Sequence, residues 1–332
     1  MKKTASLKLI LLSVFALSVA AFGSGAGRPD DRSHPYDSPT PLPQPKIFGD
    51  GVISTGDYDL SGCFAPDGKT LYFAKTVPVN RLGLILFSTW KNGKWSTPEV
   101  APFSGMYTDY DPFIVKDGSK LYFISNRPLN NTPKRDYNIF VVDKTPGGWS
   151  EPRDIGPPIN TPNDEFFPWV TDDGTMYFSA LRDGGKGSYD IYRSKLVDGK
   201  YTEPENLGDA INSKFGEIDV TVAADQSFMV FACAGRPDGV GDSDLYISFN
   251  RGGVWTQAKN LGSPINSKGR EFCPGISPNG KYLFFTSSRG FWDEPLKAPI
   301  SSADFRKRLA SSNNGMGDIY QVDIAALGVP KP

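Results

Sequence analysis

One phrase occurs five times in this chain, and it limits the fold more than any other feature. Its clearest copy spans residues 271–289, EFCPGISPNGKYLFFTSSR: an acid, a short β-rich run, a tight turn, a second β-rich run and an arginine. Pro278 and Gly280 stand where a tight connection favours them. The turn residues of the five copies are Asp67-Gly68, Asp117-Gly118, Asp173-Gly174, Asp225-Gln226 and Asn279-Gly280, so successive copies lie 50, 56, 52 and 54 residues apart. A unit of that period, with about four strands, buries its apolar faces only against its neighbours, which predicts the blades of an all-β, five-bladed β-propeller.

Each unit reads as strands a, b, c and d. In the third they are predicted at 166–170, 175–180, 190–194 and 200–207. Strand d has its own phrase: Trp149…Pro152…Ile155-Gly156…Ile159-Asn160, then Tyr201…Pro204…Leu207-Gly208…Ile211-Asn212, then Trp255…Ala258…Leu261-Gly262…Ile265-Asn266. The fifth unit lacks it. Residues 45–54 (PKIFGDGVIS) align instead with residues 204–213 (PENLGDAINS). The N-terminal segment is therefore predicted to complete the last blade, which removes an exposed sheet edge.

With the SPNGKYLFFTSSR phrase, the Asp-Ile-Tyr of strand c and the Trp-x-x-Pro…Leu-Gly…Ile-Asn of strand d on view, residues 44–322 resemble the TolB-like β-propeller repeat family. The resemblance implies the fold and an envelope compartment. It implies no activity, because this repeat is a scaffold used in many settings.

Residues 1–23 read as a signal peptide: Lys2, Lys3 and Lys8 precede an apolar run at 9–21 that is too short to span a bilayer comfortably. Residues 24–43, rich in Pro, Ser, Gly and Asp, read as a disordered leader. The propeller is expected over 44–323, with a C-terminal tail at 324–332. The expected product is a periplasmic or secreted monomer with no membrane span.

With 36 Lys and Arg against 37 Asp and Glu there is no basic footprint for nucleic acid. The only histidine, His34, lies outside the repeats, which removes histidine triads and histidine metal sites from the folded part. There is no Cys-x-x-Cys and no phosphate-cradling loop, so no metal and no cofactor are expected. Cys63, Cys233 and Cys273 are an odd count and fall in predicted strands, where they read as buried thiols.

Aligning the units on the turn produces three columns. Eight residues before each turn stands an acid: Asp59, Asp109, Glu165, Glu217 and Glu271. After strand b stands Arg127, Arg182, Arg236 or Arg289. Strand c starts with Asp190, Asp244 or Asp318, and with Asn138 in the second unit. A four-stranded meander brings all three columns to one edge, beside the central channel, and an arginine fork suits carboxylates. This charged rim is read as a structural network. The strand-d aromatics Trp95, Trp149, Tyr201 and Trp255 repeat once per blade and are read as inter-blade packing.

Two units depart from the pattern. The first has Val77 and Ile85 in the arginine and strand-c positions, so Asp59 is expected to lack its in-blade partners. The fifth inserts residues 290–316, a connector of functional length. A short helix is predicted after Ser301. Ring closure makes blades 1 and 5 neighbours, so a binding surface is expected between them, built from Asp59, Phe291, Trp292, Arg306 and Arg308.

The expected function is a non-enzymatic binding or scaffold module for an envelope protein or glycan. The alternative is a glycoside hydrolase using channel carboxylates, with Asp59 and Asp111 as the candidate catalytic pair. That chemistry needs two carboxylates in different environments, about 5–5.5 Å or 6.5–9.5 Å apart. Asp57 and Asp219 are further acids to place. A peptidase-associated propeller is not expected, because the repeats leave no room in this sequence for a hydrolase domain.

Overall fold

The computed structural model describes residues 34–77, 82–129 and 136–329; the predicted signal peptide lies outside them. Five antiparallel sheets form the five blades of a propeller. Strands a, b and c are Tyr58–Phe64, Thr70–Thr76 and Gly83–Lys91 in blade 1, and Asp109–Ile114, Lys120–Ser125 and Asn138–Thr145 in blade 2. In blade 3 they are Glu165–Val170, Met176–Ala180 and Asp190–Ser194, and in blade 4 Gly216–Val222, Phe228–Ala234 and Asp244–Arg251. Blade 5 has Glu271–Ile276, Tyr282–Ser287 and Asp318–Asp323. Strand b is flanked by neighbouring blades on both faces. Its sequence is accordingly a continuous apolar run rather than an alternation, and Phe73, Phe123, Phe178, Phe231 and Phe285 are almost fully buried.

The a–b turns explain their residues. Asp67 Oδ1 accepts the backbone N–H groups of Lys69 and Thr70 at 2.7 and 2.9 Å. The next position is left-handed in every copy, including Gln226 at φ 55°, where glycine is missing. The Gln226 side chain accepts from the Tyr177 hydroxyl and donates to Asp173 of the preceding blade, both at 2.8 Å.

The Ile-Asn phrase is a side-chain extension of the sheet. Asn160, Asn212 and Asn266 each accept the N–H and donate to the C=O of one strand-c residue: Ile139, Ile191 and Leu245. The isoleucine before each is almost fully buried. Strand-d aromatics lock blade to blade, as expected: Trp149 Nε1 donates to the Tyr72 hydroxyl of blade 1 at 3.0 Å, and Trp255 meets Tyr177 of blade 3 edge-on.

Closure follows the sequence expectation. Lys46–Ile47 pairs antiparallel with the last strand c, Lys46 opposite Gln321 and Ile47 opposite Tyr320. Phe48 N–H continues the ladder to the Ile319 carbonyl at 2.8 Å, and Ser54 takes the asparagine role against Ile319.

The leader needs correcting from residue 34 onward. Tyr36, only 2% exposed, packs edge-on against Phe64 of blade 1 and against Tyr282 and Phe284 of blade 5. Its carbonyl accepts from Gln321 Nε2, and Leu42 N–H donates to Asp323. Apolar burial across the closure seam outweighs the polar composition of the segment. The tail also begins inside the fold: Ile324–Leu327 is a 3₁₀ turn with Ile324 and Leu327 buried.

Candidate functional site at the channel mouth

In all five blades strand a is broken by a bulge. The a–b register shifts between Leu60 and Cys63, Tyr110 and Phe113, Phe166 and Trp169, Ile218 and Thr221, and Phe272 and Gly275. Two residues after each column acid a non-glycine residue takes left-handed dihedrals: Ser61 (φ 54°), Asp111 (52°), Phe167 (52°), Asp219 (57°) and Cys273 (49°). Such a conformation costs of order 1 kcal/mol or more per residue, and a bulge re-aims the side chain that carries it.

Hydrogen bonds link these positions from blade to blade. Ser61 Oγ lies 2.7 Å from Asp111 Oδ1 and 3.0 Å from Cys273 Sγ. Asp111 also accepts the backbone N–H of Phe167. Asp219 Oδ2 accepts the backbone N–H of Cys273 at 3.0 Å. Asp219 Oδ1 has no hydrogen-bond partner among the described residues.

Above this floor opens a cavity of about 310 Å³. Its walls are aromatic: Tyr58, Tyr110, Tyr137, Phe166, Tyr189 and Phe272. Tyr110, Tyr137, Phe166 and Tyr189 form an arc of successive ring contacts, with centroids 6.3, 5.4 and 5.3 Å apart. Tyr110 reaches its place because Gly83 leaves room; a Cβ there would fall 1.9 Å from the ring. Its hydroxyl lies 2.8 Å from Thr76 Oγ1. Across the cavity, Tyr58 meets Phe272, and the exposed Arg270 lies over the Phe272 ring at 5.1 Å.

Burial pushes the Asp111 carboxyl well above the usual carboxylate range, and the charge of Asp219 adds to the shift. Burial also raises Asp219, though less; the Cys273 N–H and Arg270 oppose it. The two carboxyls therefore titrate as a pair that retains a proton where isolated carboxylates are ionised.

The column acids play another part. All five are fully buried, and each holds the connection entering its own blade. Glu271 Oε2 accepts Ser267 N–H at 2.8 Å and its Oε1 accepts Ser267 Oγ–H at 2.6 Å; Glu217 does the same with Ser213, Glu165 with Thr161 and Asp59 with Thr55. Asp109 accepts Ser104 Oγ–H. Arginine pairs with the acid in three blades: Arg127–Asp109 at 3.0 Å, Arg236–Glu217 at 2.7 Å and Arg289–Glu271 at 3.3 Å.

Two expectations about this network fail. Arg182 makes no ion pair among the described residues; its Nη2 donates to the carbonyls of Pro158 and Ile159. Burial then pushes the Glu165 carboxyl up to about 8. Asp59 is not free either. Lys75, opposite it in the a–b register, places Nζ 2.6 Å from Asp59 Oδ1. The pairing also shows that Leu84, not Ile85, occupies the strand-c position of this blade.

The insertion carries the predicted helix, α1 (Ser302–Leu309), capped by Ser301 Oγ accepting Asp304 N–H at 3.0 Å. It abuts blade 1, since Asn314 Nδ2 donates to the Gly56 carbonyl at 3.0 Å. Trp292 is exposed but held within the insertion: Nε1 donates to Asn314 O, its ring meets Phe305, and Arg308 covers both Trp292 and Phe291. Arg306 is exposed on α1. None of Asp59, Phe291, Trp292, Arg306 and Arg308 lines the channel cavity; Asp111 and Asp219 do. Their signal was present in the sequence as a charged residue inside an otherwise apolar strand, in DYDPFI and EIDVTV. The aromatic walls gave none, because their residues come from different blades.

No known family and no curated protein matches this sequence. Solved structures share the fold. A thermostable family-43 glycoside hydrolase aligns at 13% identity over 86% of this chain and 98% of its own, with a TM-score of 0.51. An α-L-arabinofuranosidase from Lactobacillus brevis aligns at 12% identity over 82% and 92%, TM-score 0.49. A protein described as TolB from Agrobacterium tumefaciens aligns at 15% identity over 81% and 91%, TM-score 0.47. At such identities the likeness is one of fold alone.

Proposed function

We propose that this protein is an exported, non-enzymatic binding module, and that the channel mouth receives an end group of an envelope glycan or protein. The supporting observation is the cavity itself: about 310 Å³, aromatic on its walls and carboxylic at its floor. Small-molecule sites have this make-up, a mostly apolar concavity with a few convergent polar groups. Aromatic faces suit the C–H faces of a sugar ring, and carboxyl oxygens accept from its hydroxyls.

A second reading, glycoside hydrolysis, draws on one observation. Asp111 and Asp219 share a cavity and differ in acidity, which is how acid and base roles are divided. That division leaves Asp111 holding the proton and Asp219 ionised, but it concerns acidity alone, whereas the aromatic walls and the carboxylic floor both serve binding. The binding reading is therefore preferred.

The test is a glycan-array screen of the mature chain, run beside turnover assays on aryl glycosides. The binding reading expects array signals lost in Tyr137→Ala and no turnover. Turnover abolished by Asp111→Asn supports the hydrolase instead. No signal in either assay overturns both.

A further inference from the structure

The floor of the cavity is short of positive charge. Among the described residues the four carboxylate oxygens meet only the Ser61 hydroxyl and the backbone N–H groups of Phe167 and Cys273, with Cys273 Sγ 3.6 Å from Asp219 Oδ2. Asp219, 6% exposed, still presents Oδ1 without a partner. Among the described residues Arg270 is the one cation lining the cavity, and it lies over Phe272 rather than between the acids. The other titratable groups facing the floor are Tyr58, Tyr110, Tyr137, Tyr189 and the Cys273 thiol, none of them a cation.

Aromatic faces carry negative potential and attract organic cations, most strongly where water is excluded. An ammonium group descending between Tyr110, Tyr137, Phe166 and Tyr189 meets π faces on its way and two carboxyls at its end. Its N–H donors match the open Asp219 Oδ1. We infer that the channel mouth recognises a protonated amine on a small ligand, such as a free amino sugar, with the ammonium seated between Asp111 and Asp219. This rests on the binding reading above and names the chemistry of its ligand.

A cation between the acids favours their ionised forms, so seating the amine expels the shared proton to solvent. Neutral hydroxyl ligands have no such effect.

The experiment is titration calorimetry at pH 7 with glucosamine, N-acetylglucosamine, glucose and calcium chloride, in two buffers of different ionisation enthalpy. Glucosamine is expected to bind at least tenfold tighter than either neutral sugar, with a buffer-dependent heat reporting proton release. Asp219→Asn should remove that preference at an unchanged melting temperature. Carboxyl carbon shifts of the unmutated protein, followed on adding glucosamine, report the same ionisation if the variant does not fold. Equal binding of the three sugars overturns the ammonium inference and leaves the glycan reading standing. Binding of calcium alone replaces the amine with an inorganic cation and overturns both. No binding of any probe overturns the inference.

Discussion

Lys75 Nζ lies 2.6 Å from Oδ1 of Asp59, a carboxylate with no exposed surface. The other paired blades supply an arginine from beyond strand b. Blade 1 supplies a lysine from within it, directly opposite the acid. Burial raises the Asp59 carboxyl, and Lys75 is the largest opposing influence.

Removing Lys75 should therefore strand a buried charge. Lys75→Met is expected to cost about 3–5 kcal/mol in denaturant unfolding, and adding Asp59→Asn should restore most of it. A loss below about 1 kcal/mol for the single variant would mean that the pair is screened and unimportant.

Glu165 and Glu217 occupy the same column and should respond oppositely to neutralisation. The Glu165 carboxyl is raised from 4.5 to about 8, so the folded state holds a proton that the unfolded chain gives up. Its stabilising contribution is complete below about pH 4.5 and is lost as pH rises through about 8. Wild-type stability should fall across that window, and Glu165→Gln should flatten the fall. Glu217→Gln leaves Arg236, 2.7 Å away, without its acid and should cost about 3–5 kcal/mol. Melting curves of both variants from pH 4 to 9 check the contrast; parallel profiles would refute it.

The closure seam should carry much of the fold's integrity. Deleting residues 24–54 exposes the edge of Asp318–Asp323, and light scattering should then report aggregation. Tyr36→Ala alone should cost roughly 3 kcal/mol, because the ring is buried against both blades. A monomeric deletion variant with an unchanged melting curve would defeat this account.

The insertion should be separable from the fold and from the cavity. Helix α1 buries none of its residues. Replacing residues 294–309 with a short polar linker should change stability by less than about 1 kcal/mol. Trp292→Ala should leave glucosamine binding unchanged, since Trp292 does not line the cavity. A tenfold loss of affinity in that variant would return the site to the surface between blades 1 and 5.

The sequence by itself determined what depends on short-range pattern. Repeat period, turn chemistry and the displaced strand-d phrase settled blade count, strand order and closure. The same logic identified the buried acid column, whose members recur at one spacing. Tertiary structure decided what depends on side chains from different blades meeting at one axis. Lys75 replaces an arginine because strand pairing places it opposite Asp59, although the two are sixteen positions apart. Tyr36 is ordered because a seam between the first and last blades needs apolar cover, which no local composition reveals. Asp111 and Asp219 become a cavity floor only when five bulges turn their side chains toward a common centre. That convergence is a property of ring geometry. Periodicity along one strand cannot encode it, because each wall of the cavity is contributed by a different turn of the repeat.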